Sequence, residues 1–118
     1  MRVWLAKESQ ILCEDGAGLM NLFDLPKLPL HEELNTTIAQ SPNIRIEHII
    51  SAGQTSGWYD QEQTEFVALL EGNAEIEFEN KPKIKLQKGD TLIIAPHERH
   101  RVSYTSTKPT CVWLCVFY

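Results

Sequence analysis

The sequence predicts an all-β domain, an antiparallel barrel or sandwich preceded by a short helix. Two observations carry this. From Asn43 onward the apolar residues recur with period two in several short runs, the spacing of strands that bury one face. Turn formers separate the runs, such as Asn80-Lys81-Pro82 and Lys88-Gly89-Asp90, and no helical pattern lies between them.

Residues 1–24 hold two short strands, in "RVWLA" and "QILC", and then a glycine-containing loop. In "LPLHEELNTTIAQSP" Leu30, Leu34 and Ile38 recur every four residues. Pro29 suits the first helical position and Pro42 lies beyond the end, so a short amphipathic helix is expected there. In "NIRIEHIISA" Ile44, Ile46, His48 and Ile50 share one face, and Arg45 and Glu47 share the other.

The stretch "GWYDQEQTEFVALLEG" leads into a strand whose odd positions are Glu65, Val67 and Leu69. If the two aliphatic residues face the interior, so does Glu65. Phe66, Ala68 and Leu70 then face outward and need a cover of their own. "NAEIEFEN" places Ala74, Ile76 and Phe78 inward, with Glu75, Glu77 and Glu79 outward. "KIKLQ" repeats the pattern with Ile84 and Leu86. The expected hairpin pairs Phe78 with Ile84 and Ile76 with Leu86 around the loop Asn80-Lys81-Pro82. Glu79 would then oppose Lys83, and Glu77 would oppose Lys85, each worth roughly 0.2–1 kcal/mol. "TLIIA", "HRVSY" and "TCVWLCVFY" supply the last strands. In the final run Cys111, Trp113, Cys115 and Phe117 alternate on one face, the mark of a core.

At 118 residues the chain fits one domain, 1–118, with the barrel over about 43–118 and the strands and helix over 1–42. Such a length buries roughly 60–70% of the unfolded surface. Sixteen acidic against eleven basic residues give a net charge of −5, with no block of lysine or arginine. A polyanion gains little from counterion release on such a surface, so nucleic acid is excluded as a partner. No run approaches the ~20 apolar residues of a membrane helix, and the N-terminus lacks the apolar core of a secretory signal. Cys13, Cys111 and Cys115 form no even framework. On one strand Cys111 and Cys115 would lie roughly 13 Å apart, too far for a bridge. Free thiols in a reducing cytoplasm are the expectation.

Two polar clusters interrupt this apolar chain: the approach to Glu65, and "APHERH" with His97 and His100. Buried carboxylates are costly unless paired or bound to metal. His48, on an isoleucine face, reads as a core-edge histidine, and His31 lies on the expected helix. Trp58 and Tyr59 either line a pocket or close one end of the barrel.

"Glu65-x6-Gly72" and "Gly89-x5-APHERH" resemble the two motifs of the cupin superfamily, G-x5-H-x-H-x3–4-E-x6-G and G-x5-P-x-G-x2-H-x3-N. The wording is most similar to small single-domain bacterial cupins, and it covers roughly residues 20–118. The resemblance implies a double-stranded β-helix, or jelly-roll, barrel that holds a divalent metal on inward side chains. It also implies a homodimer formed through an outer sheet face. Glu65 matches the motif carboxylate and His100 the ligand histidine. The two first-motif histidines are missing: their places hold Trp58 and Asp60, or Tyr59 and Gln61 in the shorter spacing. In the second motif Ala95 replaces the proline, His97 the glycine and Tyr104 the asparagine.

On this resemblance the expected metal ligands are Asp60, Glu65, His97 and His100. Two imidazoles with carboxylates suit Fe, Zn, Ni or Mn. A small-molecule ligand or substrate is the implied partner. Three readings follow: a mononuclear metal enzyme acting on a small organic molecule, a non-catalytic module that binds a small molecule or metal, or a scaffold whose barrel is filled by side chains, which fits the missing histidines. The fold alone does not choose between them.

Overall fold

The computed structural model describes residues 10–11 and 19–118. Nine strands lie within them: β1 (Gln10–Ile11), β2 (Leu34–Ser41), β3 (Ile44–Ser51), β4 (Glu65–Glu71), β5 (Ala74–Phe78), β6 (Lys81–Leu86), β7 (Thr91–Ile94), β8 (His100–Thr105) and β9 (Cys111–Phe117). One sheet runs β1-β2-β3-β9-β4-β7 and the other β6-β5-β8. Apart from the parallel β1–β2 contact, the ladders are antiparallel. The expected strand in "RVWLA" and the glycine loop lie outside the described residues; of "QILC", Gln10–Ile11 is a strand. No helix among the described residues is long and apolar enough to cross a membrane.

The two sheets enclose a core built from Ile49, Val67, Leu69, Ile76, Phe78, Ile94, Val102, Trp113 and Phe117. The alternation expected of β4, β5 and β9 holds: Val67 and Leu69, Ala74, Ile76 and Phe78, and Trp113, Cys115 and Phe117 all point inward. Cys111 and Cys115 are buried. Gly72, the glycine closing the first motif, has φ +93, and a Cβ there would lie 2.7 Å from the Cys111 Sγ. Only glycine fits that turn beside β9.

The structure corrects three local expectations. The short helix is not formed: residues 34–41 are strand β2, paired antiparallel with β3. The four-residue spacing of Leu30, Leu34 and Ile38 is misleading because β2 buries Asn35 and Thr37, polar residues that an apolar pattern ignores. The β-branched run Thr36-Thr37-Ile38 suits a strand, and β3 supplies its hydrogen bonds.

The β5–β6 hairpin is shifted by two residues. Ile76 faces Ile84, Ala74 faces Leu86, and a bulge brings Phe78 opposite Lys81, leaving Glu79-Asn80 as the turn. A two-residue shift keeps every side chain on its face, so parity could not detect it. The ion pairs change accordingly. Lys83 meets Glu75, while Arg101 and Arg99 of the β8 side take Glu77 and Glu79.

The third correction concerns β3. Its register with β9 aligns Arg45 with Phe117, Glu47 with Cys115 and Ile49 with Trp113. Arg45, Glu47 and Ile49 therefore share the interior face, and Ile46, His48 and Ile50 lie on the outer one. His48 is buried there, its Nε2–H donating to the Leu22 carbonyl at 2.8 Å. Burial holds its pKa below the ordinary value, and that hydrogen bond opposes the shift only in part.

Candidate functional site

One end of the barrel gathers the starts of β3, β4 and β8 and the ends of β5, β7 and β9. Glu65 opens β4 between Ile94 and Phe117. His100 opens β8 opposite Phe78. The stretch preceding β4 is zipped onto the stretch preceding β8. Tyr59 and His100 exchange backbone bonds at 2.7 and 3.2 Å, and the His97 N–H donates to the Gln61 carbonyl at 2.7 Å.

Period-two alternation then decides which first-motif residues enter the barrel. Tyr59 and Gln61 point in and are 1% and 2% exposed, whereas Asp60 points out. The shorter of the two motif spacings is thus the one whose positions lie inside. Gln61 and Tyr59 stand where histidines were expected.

The four ligands expected from the sequence divide into two pairs. Glu65 and His100, each 3% exposed, face one another with His100 Nε2 3.7 Å from Glu65 Oε1. Asp60 and His97 pair at the rim instead, His97 Nδ1 lying 2.7 Å from Asp60 Oδ1 with the two side chains 52% and 64% exposed. His97 adopts φ +61, a left-handed conformation rare for a residue with a Cβ. Among the described residues, no three or more histidine, cysteine, aspartate or glutamate side chains converge as a metal cluster.

The inner pair is held from several sides. His100 Nδ1–H donates to the Glu98 carbonyl at 2.8 Å, which leaves Nε2 with the lone pair in the neutral ring. The Tyr59 ring packs at 5.3 Å and the Phe78 ring at 6.1 Å from the imidazole centroid. Gln61 Nε2 donates to Glu65 Oε1 at 2.9 Å. Gln61 Oε1 is buried and has no hydrogen-bond partner among the described residues. Outside the barrel Glu98 fixes the loop: it accepts from the Ala95 N–H at 3.0 Å and is paired with Lys81. Its hydrogen bond to Lys81 holds the Glu98 carboxyl below the usual carboxylate range.

These atoms fit a cation. In the neutral ring a lone-pair nitrogen faces a carboxylate oxygen across a gap too wide for a hydrogen bond, and the Gln61 amide, its Nε2 turned toward that oxygen, lies alongside. Two donors about 2.1 Å from one tetrahedral ion stand roughly 3.4 Å apart, close to the separation of His100 and Glu65.

A second polar group at this end was missed in the sequence. Glu47, 2% exposed, accepts from Asn35 Nδ2 at 3.0 Å and from Arg45 Nε at 2.7 Å. The Arg45 guanidinium lies 4.4 Å above the Phe117 ring. Arg45 and Glu47 sit on the polar face of β3, which reads as solvent-facing until that strand is registered against the core face of β9.

A family model described as "Cupin domain" matches residues 46–117. A search of curated proteins finds no match. Among solved structures, a protein of Ralstonia eutropha JMP134 with the provisional name mannose-6-phosphate isomerase is 35% identical. That likeness covers 84% of this chain and 95% of the other, with a TM-score of 0.79. A cupin superfamily protein of Desulfitobacterium hafniense DCB-2 is 20% identical over 78% of this chain and 82% of its own, TM-score 0.68. KdgF from Halomonas sp. is 17% identical over 72% and 78%, TM-score 0.63. The last two likenesses bear on the fold alone.

Proposed function

Since the chain belongs to the cupin domain family, we propose that it is a small metal-binding barrel protein whose ion is held by His100 and Glu65. Gln61 would add its amide oxygen after a flip of the amide, and Tyr59 stands beside them. The observation that carries this is the His100–Glu65 gap of 3.7 Å, into which the neutral imidazole would turn its Nε2 lone pair, Nδ1–H being donated to the Glu98 carbonyl. Asp60 and His97 close the rim and stay outside the proposed ligand set. A donor set of one imidazole, one carboxylate and neutral oxygens accepts Zn, Fe, Mn or Ni.

A bound divalent ion would supply a Lewis acid that polarises a ligand oxygen. The chain's own residues do the rest. Glu98 fixes the His100 tautomer, and Tyr59 and Phe78 shield the pair from water. Use as an enzyme on a small organic molecule draws support from the name of the Ralstonia protein, a sugar-phosphate isomerase. The closure of the site favours a second reading, a non-catalytic binding module: Tyr59, Gln61, Glu65 and His100 are each at most 3% exposed.

The test is elemental analysis of protein purified without added metal. About one divalent transition metal per chain is expected, with retention abolished in His100→Ala and kept in His48→Ala. A metal-free protein that takes up none of Fe, Zn, Ni or Mn would sink the proposal.

A further inference from the structure

Residues 19–26 and the outer face of β2 and β3 line a cleft of about 440 Å³. That volume is ordinary for a small-molecule site, for which roughly 300–1,000 Å³ is usual. Strand register builds its floor. Leu34 pairs with Ile50 and Thr36 with His48, and all four line the cleft. Partners in a ladder point to one face, here the face opposite the interior one that carries Asn35, Thr37 and Glu47. The other wall docks on this floor through the His48 Nε2–H, which donates to the Leu22 carbonyl at 2.8 Å.

His48 is 4% exposed, and its bond to Leu22 fixes the tautomer. The neutral ring therefore keeps its lone pair on Nδ1, which has no hydrogen-bond partner among the described residues. Burial keeps the ring neutral by lowering its pKa. Asp24 lines the same cleft and has no ion-pair partner among the described residues. Two bonds centred on Asn21 fix the turn that carries it. The Phe23 N–H donates to Asn21 Oδ1 at 2.8 Å, and the Asp24 N–H to the Asn21 carbonyl at 3.1 Å. Asp24 is two residues from Leu22, which keeps its backbone within about 7 Å of the docking point. No lysine or arginine is among the lining residues. The cleft thus offers a lone pair and a negative charge, and its remaining walls include the apolar Leu25, Pro26, Leu34 and Ile50.

We infer that this cleft is a binding site separate from the barrel interior, and that its ligand is a small primary amine with an apolar body, bound as the ammonium ion. An ammonium carries three N–H donors and no acceptor. It neutralises Asp24 and donates to His48 Nδ1, while the apolar walls take the hydrocarbon. A neutral alcohol satisfies the imidazole but leaves the Asp24 charge unmatched. An ionised carboxylic acid brings acceptors to acceptors and a like charge to Asp24, so it is rejected. The β2–β3 layer stands between this cleft and the His100–Glu65 pair, so the site does not depend on a metal there.

The test is calorimetric titration of the purified protein at pH 7.5 with three ligands of one shape: 2-phenylethylamine, 2-phenylethanol and 3-phenylpropanoate. The amine should bind roughly tenfold more tightly than the alcohol, the scale of one charge-assisted hydrogen bond. The propanoate should not bind. Asp24→Asn keeps the turn, which uses only the backbone of residue 24, and should weaken the amine roughly tenfold while leaving the alcohol unchanged. In nitrogen-15 spectra the His48 Nδ1 resonance should move as the amine is added, and those of His31, His97 and His100 should stay. Equal amine affinity in wild type and Asp24→Asn, or equal affinity for amine and alcohol, would overturn the inference. A moving His100 resonance with His48 still would place the amine in the barrel and overturn it as well. So would a wild type that binds none of the three, its cleft filled by a second copy of the chain or closed by its own wall.

Discussion

His100 and Glu65 face each other inside the barrel with Nε2 and Oε1 3.7 Å apart. The His100 Nδ1–H donates to the Glu98 carbonyl, so Nε2 is the nitrogen turned to the carboxylate. A sequence-distant carboxylate and imidazole are thereby held face to face.

The alternation of Tyr59, Asp60 and Gln61 separates two otherwise equivalent substitutions. Gln61→His should tighten metal binding at least tenfold, a change of only about 1.4 kcal/mol, because it returns an imidazole to an inward position. Asp60→His should leave affinity unchanged, since that side chain faces out. Competition against a chelator of known affinity reads both. A gain from Asp60→His equal to that from Gln61→His would reject the assignment of inward residues.

His97 carries a left-handed backbone and an exposed partner, so replacing it tests whether the rim belongs to the site. Glycine at this position removes about 1–2 kcal/mol of conformational strain. The exposed ion pair to Asp60 that it loses is worth about 1 kcal/mol at most. His97→Gly should therefore unfold in urea at the wild-type midpoint or above it, with metal content unchanged. Loss of metal in this variant would bring His97 into the ligand set.

His48 makes a prediction about pH. Its folded pKa lies below the ordinary 6.5, so the unfolded chain accepts a proton that the folded chain declines. Stability from this source is complete above about pH 6.5 and drains away as the pH falls toward the folded value. His48→Gln can still donate to the Leu22 carbonyl and has no such titration. Urea denaturation at pH 7.5 and 5.5 should show a smaller acid loss in this variant than in the wild type; equal losses would reject the effect.

The outer face of the large sheet carries an apolar row across four strands. Ile46 pairs with Val116, Val116 with Phe66, and Phe66 with Ile93, which is 54% exposed. The motif resemblance leads to the expectation of a homodimer through such a face, which one substitution tests. If the protein self-associates through this face, Phe66→Glu should lower the mass measured by light scattering, and an unchanged mass would exclude the face as the contact.

The sequence by itself determined the succession of strands from Asn43 onward, the inward faces of β4, β5 and β9, and Glu65 on one of those faces. Strand parity is local, and each of those strands writes its buried face in its own residues. Tertiary structure decided what parity cannot distinguish. β3 has apolar residues on its outer face and an arginine–glutamate pair on its inner one, and only its register with Trp113, Cys115 and Phe117 identifies the inside. The β5–β6 shift of two residues preserves every face, so no pattern in either strand marks it. The choice between Asp60 and Gln61 was settled by the backbone bonds that tie Tyr59 to His100 and Gln61 to His97, between segments nearly forty residues apart in the chain. Those bonds set the phase of the alternation, and with it which side chains meet the imidazole.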